Sequence, residues 1–241
     1  LNKDIIHLVK SSAAEILDDF VSLFFPRYCV ACHDSLVKGE EFICSKCILD
    51  LPRSNYHLET DNPFQKKLSG RIPVKFVMSF FKFVKAGNVQ HVLHALKYKN
   101  QPELGRMLGR VYGNELLNSG YQDQFDLIIP VPLHPLKKRR RGYNQSEEFG
   151  LGLAEPLNIA CTEEYLKRIS LTGTQTKRTK LKRWENVKSV FEAVSPESLY
   201  DKRILLVDDV VTTGATLEAA GQTLLDAGCK ELSIACIAAT Q

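Results

Sequence analysis

The segment 204–228, ILLVDDVVTTGATLEAAGQTLLDAG, limits the possible folds more than any other part of the chain. Four consecutive aliphatic residues run into two acids, a hydroxyl-rich turn and a helical pattern closed by Gly228. A strand that is apolar on both faces needs a cover on both, and the helix that follows it supplies one of them. Runs of the same kind recur at 127–131 and 232–238, with a β-rich apolar stretch at 74–84 and a shorter strand candidate at 157–161. Helical spacing occupies 89–98, 103–117, 145–155 and 215–227. This alternation predicts an α/β domain over 73–241, built on a parallel sheet with helices on both faces. Ligands of such sheets sit beyond the C-terminal ends of the strands, so chemistry is expected in the loops after Val131 and Val207.

The chain has 241 residues, 44% hydrophobic and 25% charged, enough for one or two globular domains. No apolar run approaches the roughly 18 residues of a membrane span, so no transmembrane helix is expected. Residues 1–25 carry Ile5, Ile6, Val9, Ile16, Leu17, Phe20 and Phe24 at helical spacing, which predicts an amphipathic helix and not a signal peptide. Residues 59–72 are polar and turn-rich and read as a linker.

Seven cysteines without a secretory segment predict a reducing, cytoplasmic setting and not a disulfide framework. Cys29, Cys32, Cys44 and Cys47 form two CxxC knuckles within 26–58, with Lys38 and Gly39 where a hairpin turn would lie. Two such knuckles make a closed tetrahedral S4 shell, the donor set of a structural Zn(II) in a small N-terminal zinc ribbon. Four thiolates leave no open position, so a catalytic zinc is not expected. His33 and His57 nearby read as surface histidines, and Cys161, Cys229 and Cys236 as small core residues.

The turn at 208–216 divides its chemistry. Thr212, Thr213, Gly214, Ala215 and Thr216 leave backbone N–H groups exposed at a helix N-terminus, where they can cradle a phosphate monoester. Asp208 and Asp209 would repel that anion but suit the vicinal hydroxyls of a ribose. Residues 205–216 resemble the 5-phosphoribosyl 1-diphosphate (PRPP) motif of the type I phosphoribosyltransferases: an apolar strand, two acids, two variable residues, then Thr-Thr-Gly-x-Thr. A Walker B strand is the competing interpretation, but no GxxxxGK[ST] occurs in the chain, and Gly150-x-Gly152 does not continue into a dinucleotide fingerprint.

Positive charge is concentrated. Residues 134–188 hold thirteen basic and six acidic side chains, against 32 and 28 in the whole chain. Residues 126–145, DLIIPVPLHPLKKRRRGYNQ, present five consecutive cations in what reads as a loop after a strand. Residues 174–191, TQTKRTKLKRWENVKSVF, have the composition of a flap that could close over a diphosphate. The alternative for both is a nucleic-acid patch, with Tyr143 and Trp184 available to stack on bases.

Taken together, the four-cysteine ribbon, the VPLHPxxxRxRGYNQ segment, the 175–186 passage ending RWENV and the PRPP loop resemble the ComF family, with its ComFC-type and GntX-like groups, over nearly the whole chain. The resemblance implies a type I phosphoribosyltransferase-like fold stabilised by zinc, with links to single-stranded DNA and competence proteins in natural transformation. The first hypothesis is a pentosyl-transferring enzyme in which Asp208, Asp209 and Arg183 are catalytic. PRPP, accompanied by Mg(II), would be held by the 208–216 loop with Arg139 and Arg141. The second hypothesis is a non-catalytic protein that binds a nucleotide or the 5′-phosphate of single-stranded DNA. The chain stops within a few residues of its last predicted strand, and the want of a segment for an acceptor base favours binding or an unusual acceptor.

Overall fold

The computed structural model describes residues 25–169 and 190–240, in two compact units that divide between Leu51 and Pro52. The helix expected over 1–25 and the passage 175–186, with Arg183 and Trp184, lie outside the described residues.

The first unit has a thin core of Cys29, Val30, Ala31, Ile43, Cys47 and Leu51. Tyr28 and Ser35 form one antiparallel bridge, and the chain turns at Lys38 and Gly39, where Gly39 takes φ 92°. The second knuckle opens a helix, α1 (Ser45–Asp50), instead of closing a hairpin strand: Cys44 is its N-cap, and its sulfur accepts from the Cys47 N–H at 3.4 Å.

The second unit is built on five strands in the order β1-β7-β6-β2-β3, every neighbouring pair parallel. These are β1 (Val77–Phe83), β2 (Leu127–Pro130), β3 (Ala160–Cys161), β6 (Arg203–Val211) and β7 (Glu231–Thr240). A separate antiparallel pair, β4 (Leu166–Arg168) with β5 (Phe191–Ala193), has no counterpart in the sequence reading. The helices are α2 (Pro63–Ser69), α3 (Asn88–Tyr98), α4 (Pro102–Asn118), α5 (Pro135–Arg141), α6 (Gln145–Leu157) and α7 (Ala215–Asp226). Both faces of the sheet are covered. Leu206 and Leu232 meet Gly221 of α7 on one face, while Val207 and Ile128 meet Gly150 of α6 on the other. Consecutive residues of β6 therefore serve opposite layers, as the strand period demands.

Three expectations change. Residues 59–72 are no linker, because Phe64, Leu68 and Ile72 on and after α2 are buried in one core cluster with Leu206, Leu217 and Leu224. Residues 52–54 run along the free edge of β1, where Ser54 N–H donates to Phe80 O at 3.0 Å, and so belong to this unit and not to the ribbon. His57 is buried against Tyr112 with ring centroids 5.5 Å apart, and burial pushes its pKa down. Of the core cysteines, Cys229 and Cys236 are buried and Cys161 is half-buried.

The glycines of α4 and α6 are explained by packing. A Cβ on Gly109 would lie 2.2 Å from the Phe149 carbonyl oxygen, and one on Gly152 would lie 2.1 Å from that of Arg106. The two helix backbones touch, so Gly150-x-Gly152 is a contact surface and not a nucleotide loop. Gly109→Ala should cost about 1–3 kcal/mol by overpacking, although alanine gains about 1 kcal/mol at an unhindered helical site. Gly70→Ala, with nothing within 4 Å of its Cβ, should stay within about 0.5 kcal/mol of the parent. Urea unfolding of the two variants compares them directly.

Candidate functional site

β2 and β6 pair in register from Leu127↔Ile204 to Pro130↔Val207, and Val131 N–H donates to Val207 O at 2.8 Å. The two loops singled out in the sequence thus leave one edge of the sheet side by side. β6 runs further than the four aliphatic residues suggest, because β7 pairs with it as far as Val211↔Ala239. Asp208 and Asp209 are therefore strand residues, fixed by a ladder, and not loop residues.

The acid pair sits in a polar network. Asp208 Oδ1 accepts from Ser146 Oγ at 3.0 Å and from the Asp209 N–H at 2.8 Å. Asp209 Oδ2 is 2.8 Å from Lys97 Nζ, and its Oδ1 accepts from the Val210 N–H at 2.6 Å. Burial, followed by the negative charge of Asp209, raises the Asp208 carboxyl to about 7, against the pull of these donors and Lys97. Ser146 comes from the first turn of α6 and Lys97 from the last turn of α3. The sequence reading missed both. Ser146 directly follows the GYNQ motif, a usable signal, whereas Lys97 is one of many helical lysines and carried none.

Beyond β6 the chain turns through Thr212 and Thr213 to Gly214, which caps α7 at φ 82°. Thr213 Oγ1 accepts from the Ala215 N–H at 3.4 Å. The first N–H groups of α7 have no carbonyl one turn back to bond, which leaves them available to an anion. A cavity of about 40 Å³ is lined by Asp208 and by residues 210–217. Since one water needs roughly 10–15 Å³ by this measure, the space is on the scale of a single phosphate group. A larger hollow of about 700 Å³, lined by Phe191, Glu192, Pro196, Thr223 and Asp226, lies at the other end of α7 and includes none of the candidate ligand-binding or catalytic residues.

The five-cation run is a helix, α5, and not a loop. His134 Nδ1 accepts from the Leu136 N–H at 3.2 Å to start it, and Gly142 at φ 83° ends it. Its cations differ in their surroundings. Lys138 is 3.6 Å from Glu147 and also pairs with Glu163. Arg141 donates to Gln145 Oε1 at 2.6 Å and lies 5.7 Å from the Tyr98 ring centre. Lys137, Arg139 and Arg140 are exposed and have no ion-pair partner among the described residues. Tyr143 is buried, its hydroxyl donating to Leu96 O, so it is not free to stack on a base.

In the first unit the sulfurs of Cys29, Cys32, Cys44 and Cys47 all lie within 4.8 Å of one another. Zn–S bonds of about 2.3 Å in a tetrahedron separate sulfurs by about 3.8 Å, and Cys32 Sγ stands 3.8 Å from Cys44 Sγ. The donor set fits Zn(II). Burial opposes ionisation of Cys29, but backbone N–H groups of Cys32, Cys44 and Ala31 bring it down to about 7. Burial and the neighbouring sulfurs push Cys47 up instead, a conflict that a dication resolves by stabilising every thiolate.

Residues 123–241 match the family model described as phosphoribosyl transferase domain. Competence protein F of Haemophilus influenzae is 30% identical over 221 residues, covering 88% of this chain and 96% of that protein. The DNA utilization protein YhgH of Shigella flexneri is 28% identical over 233 residues, 90% of this chain and 99% of that protein. Competence protein ComFC of Bacillus subtilis is 23% identical over 205 residues, 84% of this chain and 79% of that protein.

The four sulfurs should bind about one metal ion per chain. Chelation or Cys44→Ser should open residues 25–51 to proteolysis while 52–240 keeps its melting transition; metal analysis well below one equivalent would contradict this. A second expectation concerns Asp208, whose raised value means that the folded chain holds a proton the unfolded chain releases near pH 4. Stability is then lost as pH rises from about 4 to about 7. Asp208→Asn can keep both hydrogen bonds to Oδ1 without the charge. It should remove that loss and raise stability at pH 8 by on the order of 4 kcal/mol, with no gain at pH 4, as read by calorimetric melting at both pH values.

Proposed function

This chain belongs to the ComF family of competence-linked proteins and carries its phosphoribosyltransferase-type domain, and we propose that the β6–α7 loop binds PRPP or a related ribose 5-phosphate ligand. The observation that carries the reading is the phosphate-sized cavity at the N-terminus of α7 beside Asp208 and Asp209. The amides and hydroxyls of Thr212, Thr213, Gly214, Ala215 and Thr216 would take the 5′-phosphate, and the two acids the ribose hydroxyls. In a transfer reaction the same acids would stabilise positive charge growing on the ribose, with Arg139 and Arg141 near the departing diphosphate; Arg183 lies outside the described residues. The acid pair offers Mg(II) no free cage, since Lys97 already pairs with Asp209. The cation fits better on the ligand's diphosphate, where it would neutralise the leaving group. The four cysteines would hold a structural Zn(II).

One observation favours a contact with single-stranded DNA as well: Lys137, Arg139 and Arg140 on α5 are exposed and unpaired among the described residues. Three such cations suit a flexible polyphosphate strand. In this reading the ribose 5-phosphate site would receive either PRPP or a 5′-phosphorylated end, in a cytoplasmic protein of the DNA-uptake route.

Titration calorimetry with PRPP and Mg(II) tests the site. Asp209→Asn should weaken binding by about 1.5–3 kcal/mol, roughly tenfold to hundredfold. Because it also frees Lys97, affinity for inorganic phosphate should not fall with it. Thr213→Val should weaken PRPP and ribose 5-phosphate together. No PRPP binding by the parent protein, or no change in either variant, removes the reading. Binding without diphosphate release in the presence of bases, amines or oligonucleotides identifies the non-catalytic form. With a 5′-phosphorylated oligonucleotide, replacing the three α5 cations by Gln should flatten the salt slope by about 2.

A further inference from the structure

The loop that opens α7 is gripped from outside by α2, part of the stretch that reads as a linker in the sequence. Leu68 lies beneath Gly214 so closely that a Cβ there would stand 2.8 Å from Leu68 Cδ2. On the same helix and just past its end, two cations reach the loop backbone. Lys67 Nζ donates to the Thr212 carbonyl, and Arg71 Nη1 donates to the Thr213 carbonyl at 3.1 Å. The Thr240 hydroxyl is also 3.3 Å from the Thr212 carbonyl, so Arg71 is the less duplicated of the two holds. In a trans peptide the C=O and the following N–H point in opposite directions. Pinning these two oxygens toward α2 therefore turns the N–H groups of Thr213 and Gly214 away from it. Arg71 Nη1 also lies 3.1 Å from Glu218 Oε2 in the first turn of α7, where an unpaired carboxylate would repel an incoming anion.

We propose that Lys67 and Arg71 are positioning residues for phosphate: they fix the direction of the 212–214 peptides, and Arg71 cancels Glu218 beside the ligand. The proposal rests on the phosphate reading of this loop. α2 is thus part of the binding machinery, although neither cation need touch the ligand.

The test uses the full chain and ribose 5-phosphate as the probe, with melting curves checking that each variant folds. Arg71→Met should lower affinity about tenfold and Lys67→Met severalfold, while Arg71→Lys keeps most of the affinity. Adding Glu218→Gln to Arg71→Met should recover part of the loss, a rescue that a purely structural role does not predict. Without ligand, amide exchange at residues 213–216 should be faster in both Met variants than in the parent. If Arg71→Met does not fold, Lys67→Met carries the test and should bind severalfold more weakly than the parent, with faster exchange at residues 213–216. Parent binding with equal affinity and equal exchange in the variants overturns the proposal and leaves the site standing. Absence of parent binding to ribose 5-phosphate overturns the phosphate reading, and the proposal with it.

Discussion

Parallel pairing of β6 with β2 on one side and β7 on the other sets the position of every group in the site. Hydrogen bonds to β2 stop at the level of Val207, whereas those to β7 continue to Val211. The two acids stand where one neighbour has ended and the other persists, and this opens space on the β2 side. The chain leaving β2 fills part of it with α5 and the start of α6, which delivers Ser146 to Asp208. Had β6 ended at Val207, Asp208 and Asp209 would be carried by a turn. Their orientation would then depend on local backbone preference and not on the sheet.

The site brings together groups that oppose one another. Two carboxylates in adjacent residues, one of them shifted to about 7, disfavour the folded state near neutral pH. Lys97, Ser146 and two backbone amides offset that cost without removing the acceptor capacity of the oxygens. A few residues on, the helix terminus presents the reverse polarity, with amides and hydroxyls around a small cavity. Such neighbouring regions of opposite potential suit a ligand that is itself divided, with hydroxyls at one end and an anion at the other. The tension at Asp208 is the kind that persists at sites where function and stability diverge.

The two units are held together by different physics. The described residues of 52–240 pack apolar layers against the sheet, in which Leu205, Leu206, Ile234 and Ile237 are fully buried. Residues 25–51 have only a handful of buried side chains, two of them cysteines. A segment this short offsets little of its chain entropy with so little apolar area, and metal ligation by the four clustered sulfurs would supply the closure that a core otherwise provides.

Local chemistry was legible in the sequence wherever a property belongs to consecutive residues. The strands β1, β2, β6 and β7, the helices α3, α4, α6 and α7, the Thr-Thr-Gly-x-Thr turn and the two CxxC knuckles are of this kind, since periodicity and ligand spacing are written along the chain; the helix α5 and the β4–β5 pair were not legible, because a run of cations and two three-residue strands carry no period. Only the tertiary structure decided which distant groups meet. Lys97 reaches Asp209 because α3 ends over the sheet edge, and Arg71 reaches the Thr213 carbonyl because Leu68 and Ile72 bury α2 against α7. Residues 59–72 look like a linker because their polar and turn residues outnumber three buried apolar side chains, yet those three decide where the segment lies. The same holds for Gly109 and Gly152: sequence spacing cannot distinguish a glycine that frees a loop from one that lets two helix backbones touch, because the difference resides in the partner.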